Sequence, residues 1–116
     1  MSEISIYHNP RCSKSRQTLA LLEEKGIEAN VVEYLKTPPS AEILSKILDQ
    51  LDISPRQLLR TGEALYKELN LKDESLTEQQ LIQLMCDNPK LIERPIVIYN
   101  GKAKIGRPPE SVLEIL

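Results

Sequence analysis

The 116-residue chain has no Trp and no Phe, and its aromatic content is four Tyr. A core must therefore be built from Leu, Ile and Val. Stacking platforms for single-stranded nucleic acid are missing. So is a basic excess: 15 Lys and Arg stand against 17 Asp and Glu, a formal net charge of −2. A nucleic-acid reader wants a strongly basic domain or face. No apolar run approaches the length of a membrane span. The N-terminus, MSEISIY, has neither a basic segment nor a long apolar stretch, so no secretory signal is expected.

Thiols and imidazoles are also scarce. One His and two Cys are too few for a structural zinc site, and no metal is expected. Cys12 and Cys86 are far apart in a chain without an export signal, which points to a reducing compartment and free thiols. The expected location is the cytoplasm. Neither nucleic acid nor membrane is an expected partner, and a monomer is expected. What remains is 41% hydrophobic and 28% charged, the balance of an ordinary soluble domain. The length predicts a single domain, 1–116.

Periodicity orders the elements. EISIY, residues 3 to 7, alternates and predicts a strand, followed by a turn at His8-Asn9-Pro10. A helical pattern runs from about Ser13 to Lys25, with Leu19 and Leu22 on one face and Gly26 at its end. NVVEYL, residues 30 to 35, predicts a second strand, parallel to the first. Ser40 caps a helix to about Leu51 whose apolar stripe is Ile43, Leu44, Ile47, Leu48 and Leu51. Ser54-Pro55 and Thr77-Glu78 open two more helices with capping-box spacing, and a short helix is expected near 62 to 69. Ile96–Tyr99 and Lys102–Ile105 predict strands joined at Asn100-Gly101. Pro108-Pro109 starts a last helix with Val112, Leu113 and Leu116 apolar. The order βαβ…ββα predicts an α/β thioredoxin-like fold with a mixed four-stranded sheet. The core would be 1–36 and 90–116, and residues 40–88 a helical insertion.

One stretch departs from the rest. YHNPRCSKSR, residues 7 to 16, gathers Arg11, Lys14 and Arg16 around Cys12, with the single histidine, His8, and no acidic residue. Cys12 falls between the first strand and the first helix, at a helix N-terminus, where positive potential favours a thiolate. The cations act in the same direction, as would His8 if protonated, and with free N–H groups they make a place for an anion. Basic residues are unfavourable at that end of a helix, and such departures tend to mark sites. The motif is C-x-x-S, with Ser15 where a dithiol would place its second cysteine. Cys12 must then be resolved by an external thiol or by Cys86. Cys86 sits among Leu84 and Met85 at a helix end and is expected to be structural.

The chain resembles the glutaredoxin-dependent arsenate reductase (ArsC) family, and within it the small YfgD-like branch. The resemblance rests on IYHNPRCSKSRQTL, YLKTPP, ISPRQLLR, ERPIVI and IGRPPESVLEIL, which together span nearly the whole chain. It implies that Cys12 is the catalytic nucleophile and that His8 helps keep it ionised. It implies that Arg60, Arg94 and Arg107 hold the arsenic oxyanion, with Asn9, Ser15, Arg16 and Pro95 in support. Pro95 would be the cis-proline that thioredoxin-type folds place opposite the cysteine. The implied activity is reduction of arsenate to arsenite. Glutathione would be co-substrate and glutaredoxin the second thiol donor, with no tightly bound cofactor. Two alternatives differ in class. A glutathione-dependent thiol oxidoreductase acting on another substrate would not need three arginines. A Spx-like redox sensor that binds RNA polymerase usually carries C-x-x-C, against Ser15.

Overall fold

Alternation in the first strand becomes layering in three dimensions. In the computed structural model, which describes residues 4–116, strand β1 is Ile4–Tyr7. Glu3, the first residue of the alternating run, lies outside the described residues. Helix α1 spans Ser13–Glu24 and closes at Lys25, with Gly26 beyond it at φ +74°. Leu22 is fully buried and Leu19 packs beside it. Strand β2 is Asn30–Val32, three residues where the sequence predicts six. The Glu33 carbonyl accepts from the N–H groups of both Lys36 and Thr37, and that turn carries Tyr34 into the interior. Burying an aromatic ring outweighs the β-propensity of the run.

Strands β3, Ile96–Tyr99, and β4, Lys102–Ile105, form the expected hairpin. Asn100 and Gly101 take φ of 52° and 77°, the positive values that a two-residue primed turn demands. β1 pairs parallel with β2 and antiparallel with β3, giving a mixed sheet in the order β2-β1-β3-β4. This is the thioredoxin-like arrangement. Ile6, Leu22, Val97 and Val112 form its fully buried core, flanked by Ile4, Leu19, Ile27 and Ile115. Each such side chain contributes roughly 1.5–3 kcal/mol of transfer free energy.

The C-terminal segment corrects the sequence expectation. Pro109–Ile115 is a 3₁₀ helix, not an α-helix. Three residues per turn put Pro109, Val112 and Ile115 on one side, and that is the side which packs on the sheet. Of the apolar residues noted there, Val112 is buried while Leu113 and Leu116 are exposed.

The described chain divides into two compact units, residues up to Thr37 with Arg94–Leu116, and Pro38–Glu93. The second is helical: α2 (Ala41–Leu51), α3 (Pro55–Leu58), α4 (Ala64–Glu68) and α5 (Glu78–Asp87). Ser40, Ser54 and Thr77 each accept a backbone N–H as caps, and the last two complete capping boxes with Gln57 and Gln80. Leu44, Ile47 and Leu48 of α2 are buried. Ile43, expected in the same stripe, is 48% exposed. The Arg56 guanidinium donates to the carbonyls of Leu71 and Asp73 and so ties the 70–76 loop to α3. A 3₁₀ turn at Pro89–Leu91, which the helical periodicity does not announce, leads to a bridge between Leu59 and Ile92. Among the described residues no helix is long and apolar enough to cross a membrane.

One contact in the sheet unit has no slack. A Cβ added at Gly106 would meet Thr18 Oγ1 at 2.5 Å and Pro95 Cγ at 2.8 Å. Thr18 is fully buried on α1, and its hydroxyl donates to the Lys14 carbonyl (2.8 Å). Gly106→Ala should therefore destabilise the protein by about 1–3 kcal/mol through overpacking. The cost should be smaller when Thr18→Ala is also present, because that side chain is the nearest obstacle. Urea unfolding of the two single variants and the double variant measures this coupling, and strictly additive losses would contradict it.

Candidate active site

The loop that follows β1 is built by Asn9. Past the end of the strand, the His8 N–H still donates to the Val32 carbonyl (2.9 Å). The chain then folds back: Arg11 N–H donates to Asn9 Oδ1 and Cys12 N–H to the Asn9 carbonyl, both at 3.0 Å. Cys12 arrives as the N-cap of α1, with φ −95° and ψ 124°, and its carbonyl accepts the first helical bond from Arg16. No side chain caps this helix, and its first turn holds no acidic residue. The leading N–H groups have no acceptor within the helix and carry its positive end.

Beneath the loop lies a buried hydroxyl. Ser15 is fully buried, accepts the Asn9 N–H (3.0 Å) and sits 2.6 Å from His8 Nδ1. His8 is itself buried. Burial pushes its imidazole below the ordinary 6.5; Glu33 opposes this and Arg16 adds to it. His8 is thus neutral at pH 7, and it meets Ser15 as a hydrogen-bonding group rather than as a cation. Arg16 is exposed and donates from Nη1 to the Pro10 carbonyl (3.0 Å), which braces the loop from outside.

Of the three implied arginines, Arg107 reaches Cys12, and Arg94 is tied to Arg107 through its backbone carbonyl. Arg107 Nη2 lies 3.7 Å from Cys12 Sγ, and Arg107 Nε donates to the Arg94 carbonyl (2.8 Å). Gly106 N–H donates to the Pro95 carbonyl (2.9 Å). The peptide bonds Arg94–Pro95 and Arg107–Pro108 are both cis. The two ends of the β3–β4 hairpin are therefore cross-linked by the backbone carbonyls of Arg94 and Pro95, and Arg107 extends from that junction to the thiol. Cys12 is buried, with 8% of its surface exposed.

Arg60 belongs to the helical unit. Its N–H donates to the Leu91 carbonyl (2.8 Å), and its guanidinium pairs with Glu63 and with Glu93 (3.5 Å). Cys86 is half-buried on α5, where burial first and Asp87 second push its thiol up. Both cysteines are free. A thiol raised in this way stays protonated at neutral pH and is a poor nucleophile. Thr18 and Gly106, which lock α1 against the end of β4, are residues that sequence reasoning missed. A single glycine directly before Arg107 was the available signal.

The ArsC family model matches residues 7–115. The chain is 63% identical over 115 residues to the uncharacterized protein YfgD of Escherichia coli K12, covering 98% of this chain and 97% of that protein. It is 50% identical over 117 residues to an arsenate reductase of Neisseria meningitidis serogroup B, with both chains covered in full. The solved structure of an arsenate reductase from Vibrio cholerae superposes with a TM-score of 0.97 at 56% identity, covering 98% of each chain. A match of this extent, on a fold that agrees with it, settles the kinship: the chain belongs to the ArsC family.

Proposed function

We propose that the chain is an arsenate reductase that uses Cys12 as its nucleophile and draws its electrons from glutathione and glutaredoxin. The observation that carries this reading is the Arg107 guanidinium 3.7 Å from Cys12 Sγ at the positive end of α1. A planar donor fork beside a thiol suits a tetrahedral oxyanion that must be held while sulfur attacks its centre. Arg94 is the second holder. Arg60 enters on the resemblance alone.

The Cys12 thiolate attacks arsenic(V), and one oxygen leaves as water after protonation. Glutathione then attacks the thiol-bound arsenic. Glutaredoxin supplies the second thiol, so that two thiols are oxidised to one mixed disulfide while arsenic(V) becomes arsenic(III). The balance is one arsenate and two thiols to one arsenite, one disulfide and one water. Soft sulfur suits arsenic better than a hydroxyl would. Neutral His8 and Ser15 hold the loop from below, and the Asn9 oxygens fix the approach to the helix.

Three outcomes test the proposal. In arsenate-dependent NADPH oxidation coupled through glutathione reductase, Cys12→Ser should remove turnover while Cys86→Ser keeps most of it. Equal loss from both would establish an internal disulfide and contradict the external-thiol route. In the same assay Arg107→Ala should lower kcat/KM by about 100-fold, the scale of losing one oxyanion donor. Arg107→Lys should restore only part of that, because an ammonium lacks the fork. The third outcome concerns pH. His8 is depressed when folded, so its contribution to stability is complete above the unfolded value of 6.5 and is lost as pH falls through the folded one. Urea midpoints compared at about pH 7.5 and about pH 5.5 should fall in wild type, and the fall should be shallower in His8→Gln.

A further inference from the structure

Backbone acceptors fix Arg107 to its own hairpin. Its N–H donates to the Ile105 carbonyl (3.0 Å) and its Nε to the Arg94 carbonyl (2.8 Å). The Gly106 N–H just before it donates to the Pro95 carbonyl (2.9 Å). These bonds stay within β3, β4 and their ends, whereas the sulfur belongs to the start of α1. Arg107 Nη2 nonetheless stands 3.7 Å from Cys12 Sγ. That distance depends on how closely hairpin and helix approach each other. A tight approach lies next to Arg107. A Cβ on Gly106 would meet Thr18 at two atoms, Oγ1 at 2.5 Å and Cγ2 at 3.2 Å, and Pro95 Cγ at 2.8 Å. Thr18 is fully buried, and its hydroxyl donates to the Lys14 carbonyl one turn back (2.8 Å). That bond selects one of the two rotamers open to a helical threonine. Along the stiff helix, Thr18 is roughly 9 Å of rise from Cys12.

We propose that Thr18 is a positioning residue: packed against Gly106, it sets how far the Arg107 guanidinium stands from the Cys12 sulfur. This inference rests on the reading of Cys12 as the nucleophile with Arg107 beside it, and it adds the residue that brings the two within reach. Close-packed interiors pass on small displacements. Removing the γ atoms of Thr18 leaves a cavity that its surroundings close only in part, by moving. Adding a methyl at Gly106 pushes the same two elements apart. Each change displaces the guanidinium relative to the sulfur. A misplacement of about 1 Å at a reacting centre costs up to roughly 100-fold in rate.

A nearby cation favours thiolate over thiol, so the ionisation of Cys12 reads the guanidinium without arsenate. Thiolate absorbance is followed against pH in the full chain with Cys86→Ser, and the same chain with Cys12→Ser is the blank. Urea midpoints are recorded in parallel. At a pH of partial ionisation, Arg107→Ala should lower the thiolate fraction. Thr18→Ala should lower it about threefold, the scale of a partly exposed charge pair. Thr18→Val keeps both γ positions filled and should match wild type. With Arg107→Ala present, Thr18→Ala should lower the urea midpoint but not the thiolate fraction any further. Gly106→Ala should also lower the fraction, and adding Thr18→Ala to it should restore it. Gly106→Ala carries the test by itself if Thr18→Ala does not fold. Lowered midpoints with an unchanged fraction in Thr18→Ala and Gly106→Ala would make the contact purely structural and overturn the proposal. So would a fall that persists in full without Arg107, or an equal fall in Thr18→Val. Arsenate turnover is scored separately. Its absence in wild type, with the Thr18–Arg107 coupling intact, would count against the arsenate substrate and leave the positioning role standing.

Discussion

A single buried hydroxyl holds the reactive loop in shape. Ser15 Oγ accepts the Asn9 N–H and meets His8 Nδ1, and so joins the end of β1, the turn and the first turn of α1 at one point. Ser15 is fully buried, and a buried donor or acceptor left unsatisfied costs about 1–3 kcal/mol. The loop therefore cannot relax without breaking an expensive contact. Asn9 uses its side-chain and main-chain oxygens to aim the next two N–H groups, and the Cys12 sulfur follows from that geometry. In this position a second cysteine would take away the hydroxyl on which the loop depends. The C-x-x-S spacing is thus a structural commitment as well as a chemical one.

The other half of the site is held by contact, not by hydrogen bonding alone. Gly106 leaves no room for a side chain between Thr18 and Pro95, and Thr18 lies in the second turn of the helix that Cys12 begins. The separation of helix and hairpin is set at that point. Arg107 follows directly, with its Nε on the Arg94 carbonyl and its Nη2 toward the thiol. Helix, hairpin and guanidinium move together, because close-packed interiors transmit small displacements. Cys12 and Arg107, 95 residues apart in sequence, are brought together in this way.

Much of this was legible in the sequence, for identifiable reasons. Ser40, Ser54 and Thr77 announce helix starts because a side-chain oxygen must satisfy a backbone N–H, a local requirement. Asn100-Gly101 announces the hairpin because few residues tolerate two positive φ values in succession. Cys12 with its cations stood out by violating a local rule. What was not legible depends on tertiary contact. Strand β2 stops early because Tyr34 finds the interior. The C-terminal segment winds as 3₁₀ because Pro109, Val112 and Ile115 face the sheet at a spacing of three. Arg94 and Arg107 have no local signature at all: each is an arginine beside a proline until the hairpin brings them together. Family resemblance supplied them, since periodicity reads neighbours along the chain and not across it.

The helices of this protein differ in how they begin. α2 and α5 start with a capping hydroxyl and a glutamate in the first turn, and α3 with a full capping box. α1 starts with a cysteine that caps nothing, followed by Lys14 and Arg16. A missing cap costs about 0.5–2 kcal/mol, and cations at a helix N-terminus add to that. α4 also starts without a side-chain cap, on Glu63; in α1 the missing cap is joined by Lys14 and Arg16. A capping side chain would occupy the leading N–H groups, and a first-turn carboxylate would oppose any negative charge gathered at that end. Burial of Leu22 and Thr18 against the sheet offsets the loss. The fold thus stabilises α1 from its side and leaves its end uncapped.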